Sequence, residues 1–453
     1  TWIMEINLPH NFEPRSYQEP LVTAMDDENP KCKRRGLTVW HRRSGKDKAW
    51  LNLLINKIPR RVGQYYYYFP TMAQGRKILW DGIDRDGFRY MNHFPRAYIA
   101  NKNNQEMKIT TIDGSIFQIV GTDRLEVVGP NPVGCVFSEF SLQNPRGWDY
   151  VRPILSENEG WAGFNFTPRG RNHAFRLYRK ALADPENWFT ELLTVDDTHA
   201  ITKEAIEVER RSGMSENLIL QEYYCSFDVG MEGSYFAKAL GRLRYLSPPQ
   251  IGKVPFDPKY AVHTAWDIGG TTCIWLFQVE GRNRYYIRYY EDIGQGVDHY
   301  CEMLKKWEKE YGYYYGKHFG PWDVDQPAHK ATVGKTVREI ANQHGINFTS
   351  LPMDKDINNS IARAANNIPV SWFDEDACEK GLDALEWFHE KKNERMGTID
   401  KPYLVGEPEK DWSEHCARAF IIADQGIPFV QQSGRKVTRD QIKKWQRKYG
   451  LAG

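Results

Sequence analysis

Long apolar runs, paired cysteines and internal repeats are all missing from this 453-residue chain. No stretch approaches the roughly 18–20 apolar residues needed to cross a bilayer, so a membrane-embedded protein is not expected. The opening residues, Thr1-Trp2-Ile3-Met4-Glu5, contain no basic region leading into an apolar one, and no secretory signal is expected. The seven cysteines (Cys32, Cys135, Cys225, Cys273, Cys301, Cys378, Cys416) are odd in number, widely scattered and never spaced as CxxC. That pattern excludes a zinc ribbon and a disulfide scaffold and fits a reducing cytoplasm. A large excess of one charge is absent too: 61 Lys and Arg stand against 59 Asp and Glu, a net charge of +2. One local exception is segment 435–448, where Arg435, Lys436, Arg439, Lys443, Lys444, Arg447 and Lys448 face Asp440 alone. It suits a polyanion or an acidic partner surface, and equally a solvated terminal helix.

What is present is alternation. The length favours two domains over one core, and the first half alternates short apolar runs with amphipathic helices, as mostly parallel α/β sheets do. Strands are expected at 37–40, 65–69, 116–120, 133–137 and 163–166. Between the first two, Trp50, Leu51, Leu53, Leu54 and Ile58 recur at helical spacing. In Tyr65-Tyr66-Tyr67-Tyr68 alternate side chains are expected to reach the core. From about 185 to 245 the pattern reads as helical and polar. Prolines 248, 249, 255 and 258 then mark a boundary. Beyond them, strands are expected at 261–266, 273–279 and 285–290, followed by αβ alternation. Three antiparallel strands in that setting resemble an RNase H-like nuclease domain.

His41-Arg42-Arg43-Ser44-Gly45-Lys46-Asp47 lies between a strand and a helix, where a phosphate-binding loop belongs. Such a loop offers backbone N–H groups at a helix N-terminus and a lysine that reaches the β and γ oxygens. Gly45-Lys46 supplies that core, but Trp40 replaces the first glycine and Asp47 the Ser or Thr that usually holds Mg²⁺. The apolar run 133–137 leads to Ser138-Glu139, so Glu139 is the expected base toward an attacking water. Ser138 occupies the usual aspartate position, and Asp47 is expected to compensate for it.

In order and spacing these motifs resemble the large subunit of a tailed-bacteriophage DNA-packaging terminase, over 12–423. Phe12-Glu13-Pro14-Arg15-Ser16-Tyr17-Gln18 is similar to that family's adenine-recognition segment, which implies that Gln18 reads the adenine edge beside Tyr17 or Arg15. The Arg42-Arg43-Ser44-Gly45-Lys46 loop, the 69–80 segment and Phe166-Thr167-Pro168-Arg169-Gly170, similar to the family's coupling motif, carry the same resemblance. For an arginine acting across a subunit boundary the candidates are Arg124, Arg146, Arg169 and Arg171.

In the second half a two-metal nuclease would need several converging carboxylates. Asp267 closes the first strand, and Pro321-Trp322-Asp323-Val324-Asp325 resembles the family's second ligand segment, with Asp323 as ligand. Asp325 would join it if the chain stays extended. Trp322 is expected to be wall, and His263 and His299 structural. The closing helix resembles the family's but carries Arg418 where an aspartate is usual. Glu414, four residues earlier, shares that helical face and is the expected third ligand, ahead of Asp411 and Asp424; the alternative is one tightly held metal, with a second arriving only with DNA.

The fold expected is an additional-strand P-loop ATPase core over 1–184, a helical lid over 185–245, a proline-rich linker over 246–258, an RNase H-like nuclease over 259–432 and a basic tail over 433–453. The resemblance implies an ATP-driven motor that moves double-stranded DNA into a procapsid and cuts concatemers. Its cofactors would be ATP and Mg²⁺, with Mn²⁺ able to substitute in the nuclease. Its partners would be a portal protein and a small terminase subunit, and its compartment the host cytoplasm. It implies a homo-oligomeric ring in the active state and admits a monomer in solution. A helicase–nuclease and a non-catalytic DNA-binding assembly factor are the alternatives.

Overall fold

The computed structural model describes residues 7–123, 131–228, 233–326, 335–352, 356–397 and 402–430. The basic segment 435–448 and Arg124 lie outside them. The chain divides into two compact units, 1–229 and 230–453. Among the described residues no helix is long and apolar enough to cross a membrane.

The first unit is built on eight strands: β1 (Arg35–Trp40), β2 (Gln64–Phe69), β3 (Ile99–Asn103), β4 (Lys108–Thr111), β5 (Ile116–Gly121), β6 (Pro132–Ser138), β7 (Trp161–Phe166) and β8 (Trp188–Leu193). They form one sheet in the order β3-β4-β5-β2-β6-β7-β1-β8. All neighbours from β5 to β8 run parallel, and β3, β4 and β5 pair antiparallel. Strand β7 stands between β1 and β6, so the strand before the 41–47 loop and the strand leading to Glu139 are not neighbours. That insertion is the additional strand the sequence led us to expect.

Strand β8 falls in the region read as helical lid. Trp188–Leu193 instead extends the sheet beside β1, every residue half-buried. An edge strand covered on both faces shows neither a period of two nor one of 3.6, which is why the pattern missed it. The tyrosine run also departs from expectation, since Tyr65, Tyr66, Tyr67 and Tyr68 are all buried. Tyr65 and Tyr67 enter one core and Tyr66 and Tyr68 the other, because a parallel sheet is covered on both faces.

The helix Lys46–Lys57 docks on this sheet through Trp50. Gly36 of β1 and Gly163 of β7 are directly opposite each other. A Cβ on Gly163 would come within 2.1 Å of the Trp50 ring, and one on Gly36 within 2.7 Å. The paired glycines therefore form a slot for the indole, whose Nε1 donates to Thr38 Oγ1 at 2.8 Å. This close approach sets where Lys46 emerges. Gly163→Ala is expected to destabilise the first unit by about 1–3 kcal/mol through overpacking. An unchanged denaturant midpoint would show that the slot has slack.

In the second unit β9 (Ile251–Gly252), β10 (Val262–Asp267), β11 (Thr271–Glu280), β12 (Asn283–Ile293), β13 (Tyr315–Gly320), β14 (Phe348–Ser350) and β15 (Ser371–Asp374) form a sheet ordered β14-β13-β10-β11-β12-β15-β9. β10, β11 and β12 are an antiparallel meander, and β13 and β14 add in parallel on the β10 side. This is the RNase H-like arrangement expected from the sequence. A hairpin of β16 (Glu390–Gly397) and β17 (Pro402–Pro408) stands apart from that sheet.

The proline stretch is not the division between units. Phe236, Leu240 and Leu243, on its N-terminal side, are buried in the second unit's core, and β9 pairs with β15. Prolines mark a break in local structure, but packing of the flanking apolar residues decides which core a segment joins.

Candidate active sites

The first site collects at the C-terminal ends of β1, β6 and β7. Gly45 adopts φ 80°, a left-handed backbone suited to glycine, and Lys46 follows as the first helical residue. The amides of that first helical turn lack intrahelical acceptors, which equips them for an anion. The Lys46 side chain is buried. Its Nζ lies 3.0 Å from Glu139 Oε1 and donates to Thr167 Oγ1 at 3.1 Å. Glu139 itself sits just past β6 at φ 51°, a costly conformation for a non-glycine residue. Its Oε2 is buried without a hydrogen-bond partner. Burial penalises the Glu139 carboxylate, but the Lys46 charge and then Arg169 outweigh it and hold the group below its usual range. For Lys46 the order is the same: burial opposes the charge, and Glu139 and Asp47 prevail and raise it.

Asp47 lies beside this pair. Its Oδ1 accepts from Ser138 Oγ at 2.6 Å, Tyr67 OH at 3.0 Å and Asn165 Nδ2 at 3.2 Å. Burial, only partly offset by Lys46 and reinforced by Glu139, raises the Asp47 carboxyl above its usual value. The aspartate and serine that stand at each other's usual positions are thus hydrogen-bonded to one another. Tyr67 and Asn165 were not anticipated as site residues. Asn165 had a legible signal, a lone amide in an otherwise apolar, fully buried strand.

Gln18 is placed against the loop, but its amide is already used. Nε2 donates to Ser44 O at 3.1 Å and Oε1 accepts from the Arg15 N–H at 3.1 Å. Tyr17 OH donates to the same Ser44 carbonyl at 2.8 Å, and Arg15 donates to Tyr17 OH at 2.6 Å. The segment braces the loop, and Gln18 could read an adenine edge only by giving up those bonds. Arg43 is exposed with φ 70°, whereas the Arg42 backbone N–H donates to Glu222 O at 2.8 Å. Glu222, buried and also unanticipated, pairs with Arg169 and lies 3.8 Å from Arg42. Arg171 pairs with Asp228 at 2.7 Å. Arg169 and Arg171 are therefore engaged within their own unit. Arg146 begins the helix Arg146–Glu157.

The second site is a cavity of about 340 Å³ lined by Asp267, Asp323, Trp322 and Arg418, among others. β10 and β13 are parallel neighbours, so Asp267, ending the one, and Asp323, just beyond the other, reach the same edge of the sheet. The helix Glu414–Gly426 packs against β10 and β11 and brings Arg418 to the cavity.

The remaining expected ligands do not join them. Trp322–Asp325 is a 3-10 turn rather than extended chain, which directs Asp325 away from Asp323. Asp325 pairs with Arg338 and accepts from Ser350, and Arg338 holds its carboxyl below the usual range. Glu414 Oε1 accepts from Arg418 at 2.8 and 3.0 Å. Asp411 accepts from Trp387 and Ser413. Asp424 is buried under Arg363, Arg284 and Asn367. One unanticipated residue does arrive: His415 Nδ1 lies 2.7 Å from Asp267 Oδ2, a contact that raises the imidazole above its ordinary value against the effect of burial. Among the described residues, no group of three or more His, Cys, Asp or Glu side chains is gathered for a metal. Among the described residues the carboxylates lining the cavity are Asp267 and Asp323, which suit one divalent cation. His263 and His318 are buried and pushed down to about 4 by desolvation, as structural histidines are.

No protein-family model and no curated protein matches the chain. The solved structures to which it is similar include phage large terminases. One is the large terminase from a thermophilic bacteriophage in complex with ADP, 15% identical over 92% of this chain and 100% of that one, with a TM-score of 0.40. Another is the Thermus phage P74-26 large terminase ATPase domain, 18% identical over 49% of this chain and 100% of its own, TM-score 0.39. A third is the large terminase nuclease from thermophilic phage G20c with bound magnesium, 14% identical over 43% and 97%, TM-score 0.29. Scores this low assign no residue a role.

Proposed function

We propose that the chain hydrolyses ATP to drive double-stranded DNA into a procapsid and cuts concatemeric DNA with a metal-dependent nuclease in its second unit. The observation that carries the reading is the convergence of Lys46, Glu139, Asp47 and Thr167 at one end of a sheet with an added strand between β1 and β6. Lys46 and Glu139 neutralise one another across 3.0 Å. An arriving triphosphate takes Lys46 for its β and γ oxygens. Glu139 is then free to accept a proton as the water oxygen adds to the γ-phosphorus and the β–γ bridging oxygen departs with ADP. Mg²⁺, held by Asp47, would neutralise charge on the phosphates. Asp267 and Asp323 would hold a divalent cation in the second unit, whose chemistry is to activate water and polarise a phosphodiester.

The motor would work as a homo-oligomeric ring on a portal, with a small terminase subunit choosing where to begin. Its hold on DNA would be mainly to phosphates and hence salt-sensitive. The test is separation of the two activities in the full chain. Lys46→Ala is expected to abolish DNA-stimulated ATP turnover and leave Mn²⁺-dependent plasmid cleavage, while Asp267→Ala does the reverse. Unwinding of duplex DNA would instead favour a helicase–nuclease, and loss of neither activity on substitution would refute both site assignments.

A further inference from the structure

Arg418 is where the cavity in the second unit departs from a two-metal centre. It lines the same cavity as Asp267 and Asp323 and is about half exposed, so its guanidinium is open to a ligand. It is also held. Nε and one terminal nitrogen donate to Glu414 Oε1 across one helical turn at 3.0 and 2.8 Å, which orients the planar group and leaves its other N–H donors available. The charges then decide the occupancy. Among the described lining residues Asp267 and Asp323 are the carboxylates, and Asp267 also meets His415 Nδ1 at 2.7 Å, so the negative charge they offer matches no more than one divalent cation. A second cation would sit beside a permanent positive charge, and the carboxylate best placed to relieve that repulsion, Glu414, is already paired with Arg418.

We propose that this site holds one divalent cation, on Asp267 and Asp323, and that Arg418 takes the place of the second by gripping the non-bridging oxygens of the scissile phosphodiester. Arg418 is a catalytic residue in this scheme because it touches substrate. The guanidinium is planar and presents parallel donors to two phosphate oxygens, a match that an ammonium group lacks. In hydrolysis the water oxygen bonds to phosphorus, the phosphorus–oxygen bond to the leaving sugar breaks, and the water proton ends on that sugar oxygen. Arg418 offsets the negative charge that accumulates on the phosphate oxygens during that exchange. Glu414 is a positioning residue, acting only through Arg418. Trp322, beside Asp323 and 48% exposed, is available to pack against the nucleotide flanking the phosphate.

This inference rests on the nuclease reading, and its first measurement does not depend on cleavage. Mn²⁺ bound to the nucleotide-free full chain is counted by calorimetry or paramagnetic resonance. The count is taken as the difference from the Asp267→Ala, Asp323→Ala double variant, which cancels any Mn²⁺ at the nucleotide site. One Mn²⁺ is expected for the unchanged chain and for Arg418→Gln, and two for Arg418→Asp. Two in the unchanged chain would overturn the proposal. The second measurement is binding of a short duplex in Ca²⁺. Arg418→Gln should weaken it about tenfold and lower its salt dependence, whereas Arg418→Lys should recover affinity but little cleavage. Cleavage by Arg418→Gln at the unchanged rate would also overturn it. A chain that binds one Mn²⁺ yet cuts no DNA would defeat the nuclease reading while leaving the metal count intact.

Discussion

Replacing Glu139 by glutamine is expected to lower ATP turnover by about 10²- to 10⁴-fold, the range that a positioned general base contributes, while ATP still binds. The side chain is largely buried, held ionised by Lys46 and Arg169 and aimed by a strained backbone, yet its buried Oε2 has no hydrogen-bond partner. A group held charged at such cost and left half unsatisfied is suited to take a proton from a water that only substrate brings in. Glutamine preserves the volume and can still accept from Lys46, so the fold and the phosphate loop should survive. Steady-state phosphate release measured beside nucleotide affinity separates the two effects. Turnover within threefold of the unchanged chain would remove Glu139 from the chemistry. Lys46→Ala should differ in kind: it strands Glu139 as a buried charge, so loss of nucleotide binding should come with loss of stability, by several kcal/mol for a broken buried pair.

The second large effect concerns exchange of roles between two motifs. Usually a Ser or Thr of the phosphate loop and an aspartate after the second strand share the Mg²⁺. Here Asp47 is on the loop and Ser138 on the strand, 2.6 Å apart. If the pair works as a unit, Asp47→Ser should lower Mg²⁺-dependent turnover by roughly 10²–10³-fold, about 3–4 kcal/mol of transition-state stabilisation. Adding Ser138→Asp to that variant restores the usual order of residues and should return at least tenfold, about 1.4 kcal/mol, a coupling within the range for residues in direct contact. Ser138→Asp alone should harm the enzyme, since it places two carboxylates side by side in a buried site. A double variant no better than Asp47→Ser would mean that the two residues do not share one function. Asp47 would then be a structural hub for Tyr67, Asn165 and Ser138.

Local sequence was enough for the strands and turns whose apolar runs end in a sharp polar boundary, though not for β8, whose half-buried residues show no period. The strands ending at Trp40, Ser138 and Asp267 were legible because an apolar run closing in a polar or acidic residue has few other readings. Gly45-Lys46 was legible because few turns place a glycine and a lysine before a helix. Arg418 was visible as an anomaly for the same reason, as a cation at a position where the resemblance called for an acid. What spacing could not supply was partnership. Gln18 looked free to read a base, but the Ser44 carbonyl and the Arg15 N–H take both ends of its amide. Asp325 looked like a neighbour of Asp323 until a 3-10 turn sent it to Arg338, and Glu414 looked like a ligand until Arg418 claimed it. Tyr67 and Glu222 reach the first site from elements that no local pattern connects to it, while Asn165 and His415 lie on elements already expected there but with partners that spacing does not reveal. A side chain's type and its strand or helix are set by nearby residues, whereas its charge partner is set by which distant segment packs opposite. In a buried site of low effective dielectric, that partner decides whether a carboxylate is a ligand, a base or a strut.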